Sequence, residues 1–293
     1  MRAAFIAMSL IASQLTAADL VVDHVTVAGK DVAGLSKLFT AIGIPVEYGG
    51  KHTNGMTEMA LSSFPDGSYI ELIAPQPGAD ISGHYWEPFM ARQGGACAWA
   101  VRTMDMAADL RRLQAAGISA HAQKSGRKRA DGMEIKWETA NVGPGAQGSF
   151  FPFLIADETP RERRAYPQGK PTTAKISGVK FVVVAVRDLP GAIAKYRAAF
   201  GLGEPRHDKD ATLGAQLAWF PGTPVILAAP AGDHGWMAER LKQFGEAPCA
   251  FVLGSSESWK ETAGKAKWFS REITWLDPAR LEGARIGISS NAP

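Results

Sequence analysis

The chain matches itself, and that repeat constrains its fold more than any other feature. Near the N-terminus, Val21-Val22-Asp23-His24-Val25-Thr26-Val27 reads as a strand, followed by Asp31 and an amphipathic stretch. A later strand follows at Tyr69-Ile70-Glu71-Leu72-Ile73-Ala74-Pro75. The second half repeats the plan with Val182-Val183-Val184-Ala185-Val186-Arg187-Asp188 and then Pro224-Val225-Ile226-Leu227-Ala228-Ala229-Pro230. Asp31 answers Asp188 and Pro75 answers Pro230, roughly 155 residues apart, so both halves must build the same supersecondary unit. At the positions of His24 and Glu71, however, the second half has Phe181 and Ile226. The apolar frame occurs twice and the polar pair once, which predicts a duplicated scaffold with chemistry in one copy.

Each half divides again, giving four units. Unit one predicts a strand over Leu20–Ala28, a helix over Val32–Ile42, short strands, and a last strand over Ser68–Ala74. Val32, Leu35, Leu38, Phe39 and Ile42 keep helical spacing, and Gly43 supplies a stop. Unit two predicts a strand over Cys97–Val101, a helix over Met106–Ala116, and strands over Glu134–Thr139 and Phe150–Ile155. Unit three has its helix at Leu189–Phe200, closed by Gly201, and unit four has a shorter helical part. Glu134-Ile135-Lys136-Trp137 recurs as Glu272-Ile273-Thr274-Trp275, and Trp86 recurs as Trp236. Tandem strand–helix–strands units predict an α+β fold, with helices packed on one face of curved sheets.

Residues 1–18 read as a secretory signal: Arg2, an apolar run from Ala3 to Leu15, then small residues at Thr16-Ala17-Ala18. The run is too short for a membrane anchor. The mature protein is therefore expected to be secreted or periplasmic, with no integral membrane segment after cleavage. Residues 19–157 form the first domain and 177–293 the second. The polar segment 158–176, charged at Arg161–Arg164, is the boundary. A net charge of +3 is too small to argue for nucleic acid. Cys97 and Cys249 are repeat equivalents at strand starts. Buried thiols fit their apolar surroundings, while a disulfide requires the two strand starts to meet.

A βαβββ unit used in pairs, with His on its first strand and Glu on its last, resembles the vicinal oxygen chelate superfamily of glyoxalases, extradiol dioxygenases and bleomycin-resistance proteins. Within it, the chain is similar to the glyoxalase-like domain family. The matching residues are Asp23-His24-Val25, Gly49-Gly50-Lys51-His52, Tyr69-Ile70-Glu71-Leu72-Ile73, and Ser125-Gly126-Arg127-Lys128-Arg129-Ala130-Asp131-Gly132 followed by Trp137. The resemblance implies cupped sheets made of paired βαβββ units, two such domains, and His or carboxylate metal ligands inside a cup. His24 and Glu71 match the ligand positions of unit one. Ala98 and Phe153 stand at those of unit two and cannot ligate, which argues against glyoxalase activity.

Glu71 lies between Ile70 and Leu72, where a carboxylate is costly unless something pairs with it. A divalent cation, His24 or an arginine would satisfy it, and a metal-free His–Glu pair is the alternative. Tyr69 is read as out of phase with Glu71 and is left outside the ligand set. His52, in a turn-rich segment, completes a two-His, one-carboxylate set suited to Fe, Mn or Zn. Its alternative is a loop histidine lining a pocket. The run Lys124–Arg129 reads as a loop. Arg127 and Arg129 are candidates to grip an anion, against the alternative of a solvated basic surface. His84 and Tyr85 form an aromatic connector able to cover a pocket. His121, His207 and His234 read as surface residues.

Two functional readings follow. One is an exported metal-dependent enzyme that stabilises an oxyanion or enediolate of a small oxygen-rich, anionic substrate. Its reaction would be that of a lyase, isomerase or dioxygenase. The other is a protein of the same fold that binds or sequesters a small ligand without turnover. No nucleophile elbow, phosphate loop or Cys-x-x-Cys pair is present.

Overall fold

The computed structural model describes residues 18–290. The signal segment, apart from Ala18, lies outside the described residues. The first half runs β1 (Val22–Ala28), α1 (Val32–Ala41), β2 (Glu47–His52), β3 (Thr57–Ser63), β4 (Tyr69–Pro75), α2 (Glu87–Arg92), β5 (Gly95–Arg102), α3 (Met106–Ala115), β6 (Ala120–Lys128), β7 (Glu134–Val142) and β8 (Phe153–Asp157). A short helix, α4 (Arg161–Ala165), follows. The second half runs β9 (Gly178–Ala185), α5 (Leu189–Phe200), β10 (Arg206–Asp210), β11 (Ala215–Trp219), β12 (Val225–Pro230), α6 (Trp236–Phe244), β13 (Pro248–Gly254), β14 (Thr262–Trp268), β15 (Arg271–Leu276) and β16 (Arg285–Ser289). Among the described residues, unit four has no α-helix after β13, only a 310 turn at Pro278–Arg280.

The units pair in sequence order. The first sheet closes as a barrel in the order β1-β4-β3-β2-β6-β7-β8-β5. The second sheet has the order β10-β11-β12-β9-β13-β16-β15-β14, the same circuit left open between β10 and β14. In the first barrel that seam is a short antiparallel ladder, with Lys51 opposite Lys128 and His52 opposite Arg127. Gly50 makes the seam possible. Its φ is +119°, the β2–β3 register shifts beside it, and a Cβ there would lie 2.1 Å from the Lys128 carbonyl oxygen. Only glycine tolerates both. In the open sheet, side chains replace the ladder: Trp268 Nε1 donates to Asp210 and the Phe269 amide donates to Asp208.

The helices start where the repeat predicts. Asp31 accepts from the Gly34 amide and Asp188 from the Gly191 amide, each as an N-cap. Val32, Leu35 and Phe39 of α1, like Tyr196, Ala199 and Phe200 of α5, are buried in one core shared by both halves. Each such large apolar side chain contributes about 1.5–3 kcal/mol through burial. A buried cation ties the halves together: Arg240 of α6 donates to the carbonyls of Gly94, Ala96 and Pro248. Cys97 and Cys249 sit nearby as free, buried thiols, raised in pKa by burial. Among the described residues, no helix is long and apolar enough to cross a membrane.

The insides of the two sheets differ. On β9 and β12, Val183 faces Ile226 in register, where β1 and β4 bring Thr26 opposite Glu71. Ala266 pairs with Ile273 where Arg127 pairs with Ile135. Val183, Ile226, Trp219, Trp268 and Trp275 fill the second sheet as an apolar cluster. The first barrel encloses a polar cavity instead.

Candidate functional site in the first barrel

The cavity has a volume of about 520 Å³ and is lined by His24, His52, Tyr69, Glu71, His84, Tyr85, Arg127, Trp137 and Arg164, among others. Strand alternation places most of them. Thr26 on β1, Tyr69 and Ile73 on β4, and Gln123 and Ser125 on β6 fall on the same faces as His24, Glu71 and Arg127, respectively. Tyr69 is therefore in phase with Glu71, two residues away, and the expectation that the two lie out of phase is corrected; both line the cavity. Its ring stacks on His24 with centroids 4.8 Å apart and planes 11° apart.

Glu71 is the centre. Its Oε2 accepts from the Thr26 hydroxyl at 2.9 Å. His24 Nε2 lies 3.6 Å from Oε2, and His52 Nε2 lies 3.6 Å from Oε1. Both gaps are too long for hydrogen bonds. His52 bonds through Nδ1 to Thr57 Oγ1 at 2.9 Å, and burial lowers its pKa to about 4.

His24 is held from behind. The β1–β5 register shifts between Val22 and His24, so Asp23 is the extra residue of a bulge, and its Oδ1 sits 2.6 Å from His24 Nδ1. Burial by itself would raise the Asp23 pKa. Arg164, the bond to His24 and Arg161 together outweigh it and hold the carboxyl well below the usual range. An ionised carboxylate only accepts hydrogen bonds, so His24 Nδ1 carries the proton and Nε2 is directed at Glu71. A carboxylate behind a histidine in this way is the usual second partner of a metal-binding imidazole.

The basic run is not a loop. Lys124, Ser125, Gly126, Arg127 and Lys128 belong to β6, paired along its length with β7, because Gly126 lets the strands approach: a Cβ there would meet the Ile135 carbonyl oxygen at 2.7 Å. Arg127 points inward and is 2% exposed. Its Nε donates to the Gly49 carbonyl at 2.9 Å and its Nη2 to the Arg164 carbonyl at 2.8 Å. Burial lowers its pKa to about 10, leaving it cationic at neutral pH. Among the described residues, no carboxylate forms an ion pair with it. Arg129 is not part of the site. The strand ends at Lys128, and Arg129 turns away to the carbonyls of Arg163 and Pro167 and to Asp131. His84 and Tyr85 lie at the cavity, where Tyr85 is 43% exposed and burial lowers the His84 pKa. His121, His207 and His234 are exposed.

Arg164 was not anticipated as a site residue. It lies in α4, within the polar segment between the halves, yet it is 1% exposed. It forks onto Asp23, with Nη1 to Oδ1 at 2.9 Å and Nη2 to Oδ2 at 2.7 Å. Nη1 also donates to the Tyr69 hydroxyl at 2.7 Å, while Nε and Nη2 reach Asp157. Asp23 and Tyr69 could have been found by adjacency and alternation, but no local pattern marks Arg164.

The donor chemistry fits a divalent ion: two imidazoles and one carboxylate, with His24 braced by Asp23. Their spacing does not form a closed site. Among the described residues, no three His, Cys, Asp or Glu side chains stand close enough to hold an ion. Ala98 and Phe153, at the related positions of unit two, add no donor, and Phe153 packs edge-on to His24 at 5.3 Å.

A family model described as a glyoxalase-like domain matches residues 22–189. No curated protein matches the chain. Among solved structures, a hypothetical protein from Staphylococcus aureus is similar over 92% of this chain and 99% of its own, at 14% identity and a TM-score of 0.64. A mutant of 4-hydroxymandelate synthase from Streptomyces coelicolor is similar over 93% of each chain, at 12% identity and a TM-score of 0.60. At these identities the likeness is one of fold: paired units of the vicinal oxygen chelate type.

Proposed function

The chain belongs to the glyoxalase-like domain family, and from that premise we propose that its first barrel is the active site of a metal-assisted enzyme. The substrate is a small oxygen-rich molecule carrying an anionic group. One observation carries this reading: a buried carboxylate, Glu71, faced by two imidazole nitrogens across gaps no hydrogen bond fills, in a cavity that also holds an arginine with no carboxylate partner among the described residues. His24, His52 and Glu71 would hold the ion, whether Fe, Mn or Zn. Once bound, it would supply Lewis-acid stabilisation of a substrate oxyanion or enediolate.

The chain's own residues do the rest. Arg127 binds and orients the anionic group, with its guanidinium fixed by two carbonyls and its charge retained. Thr26 holds Glu71 Oε2, leaving Oε1 facing His52. Trp137 and Phe153 wall the cavity and keep water from the reacting atoms. His84 and Tyr85 contact the ligand from the mouth. We also propose that the protein is exported through residues 1–18, with residues 19–157 as the working domain, 158–176 as the connecting segment and 177–293 as a degenerate second domain.

A second reading, capture of a small ligand without turnover, is favoured by Ala98 and Phe153 standing where unit two would supply donors. One experiment separates the two. A panel of small 2-oxo and 2-hydroxy carboxylates is incubated with the protein and with added Fe(II), Mn(II) or Zn(II). Turnover lost in Glu71→Gln supports the enzyme. Saturable binding with no turnover under any metal supports the binding protein and overturns the first reading.

A further inference from the structure

We propose that Arg164 is a positioning residue, fixing the tautomer of His24 and the placement of Arg127 from outside the set of groups that grip the ligand. The proposal gains its functional meaning from the reading of His24 and Arg127 as site residues.

A guanidinium has five N–H donors. Arg164 uses five hydrogen bonds on three protein partners, Asp23, Asp157 and Tyr69. It therefore lines the cavity with no donor left for a ligand. Each partner bears on His24 or anchors the fork. The Asp23 carboxylate plane is set by the two parallel bonds from Arg164, and Oδ1 of that same plane meets His24 Nδ1. The Tyr69 hydroxyl accepts from Nη1, which fixes the ring that stacks on His24. Asp157, at the end of β8, takes Nε and the remaining Nη2 bond. The backbone carbonyl of Arg164 completes the arrangement by accepting from Arg127 Nη2. One residue of the segment between the halves thus holds the histidine through two side chains and the arginine through its carbonyl. Arg161 and Arg102 approach Asp23 as well but do not fork onto it as Arg164 does.

A buried ion pair of this kind is a weak argument for stability, since desolvation of both charges opposes their attraction. A merely structural ion pair would stabilise the barrel and leave the protonated nitrogen of His24 unchanged.

The test is long-range ¹H–¹⁵N correlation NMR of the uniformly labelled full chain at neutral pH, without added metal or substrate. The His24 signals are assigned by their loss in His24→Asn. The wild type is expected to show His24 protonated at Nδ1. In Arg164→Met, the ratio of the Nδ1–H to the Nε2–H form is expected to fall about tenfold, the worth of one charge-assisted hydrogen bond. Arg164→Lys keeps the buried charge and guards against a variant that does not fold. A point donor cannot fix the carboxylate plane, so the ratio falls in this variant too. A folded Arg164→Lys protein whose His24 stays wholly in the Nδ1–H form overturns the proposal. Because the readout needs neither ion nor ligand, it succeeds or fails independently of the proposed function.

Discussion

His52 and Arg127 stand opposite each other in the β2–β6 ladder, the seam that closes the first sheet into a barrel. The second sheet has no ladder at this place, and its interior is filled with apolar side chains. Closing the barrel and assembling the site are therefore one structural event. The seam carries His52 to within 3.6 Å of Glu71 and turns Arg127 into the same cavity.

Gly50→Ala should open that seam. The new Cβ would meet the Lys128 carbonyl, and φ would remain in a region alanine disfavours. The expected loss is roughly 2–4 kcal/mol in denaturant unfolding. Faster hydrogen exchange at the Lys51 and Lys128 amides should accompany it. Unchanged exchange there would contradict the role assigned to Gly50.

Arg127→Met should weaken binding of a small carboxylate such as pyruvate about 10–100-fold by calorimetry, through loss of a charge-assisted hydrogen bond. Arg127→Lys should fall between the two proteins, because an ammonium cannot hold the Gly49 and Arg164 carbonyls in the same plane.

His52 sets an acid limit on the metal-free protein. Its folded pKa, lowered by burial to about 4, lies below its ordinary value of 6.5. The unfolded chain takes up the proton first as pH falls. The contribution is thus fully present above pH 6.5 and is lost as pH drops toward 4. The expected loss is about 2–3 kcal/mol over that window. His52→Gln should flatten the fall in melting temperature over the same range.

Cys97 and Cys249 should resist Ellman's reagent in the folded protein, since burial raises both thiols, and should report two free thiols after denaturation. Finding no thiol after denaturation without reductant would mean that the two are joined.

The fold was legible because its signals are local and repeated: strand alternation, helical spacing in Val32, Leu35 and Phe39, and the Asp31 and Asp188 caps. Of the site, His24 and Glu71 were legible as polar residues set in an apolar frame, while His52 and Arg127 were singled out in a turn-rich segment and a basic run that the family resemblance covers; the barrel brings all four to one cavity. Tyr69 was available from alternation alone, since residues two apart on a strand share a face. Arg129 follows the same alternation from Arg127 yet lies elsewhere, because β6 ends at Lys128 and the chain turns. Arg164 carried no signal. A charged, proline-containing stretch reads as solvated linker, and only the tertiary fold shows Asp23 waiting for it in the core.

The central claim is that His24, His52 and Glu71 form one metal-holding set in the first barrel. Elemental analysis of the protein purified without chelator, beside His24→Ala, His52→Ala and Glu71→Ala, tests it most directly. The account predicts about one equivalent of Fe, Mn or Zn in the wild type, lost in each variant while circular dichroism shows the fold retained. A wild type that takes up none of these ions, even after reconstitution, would contradict it.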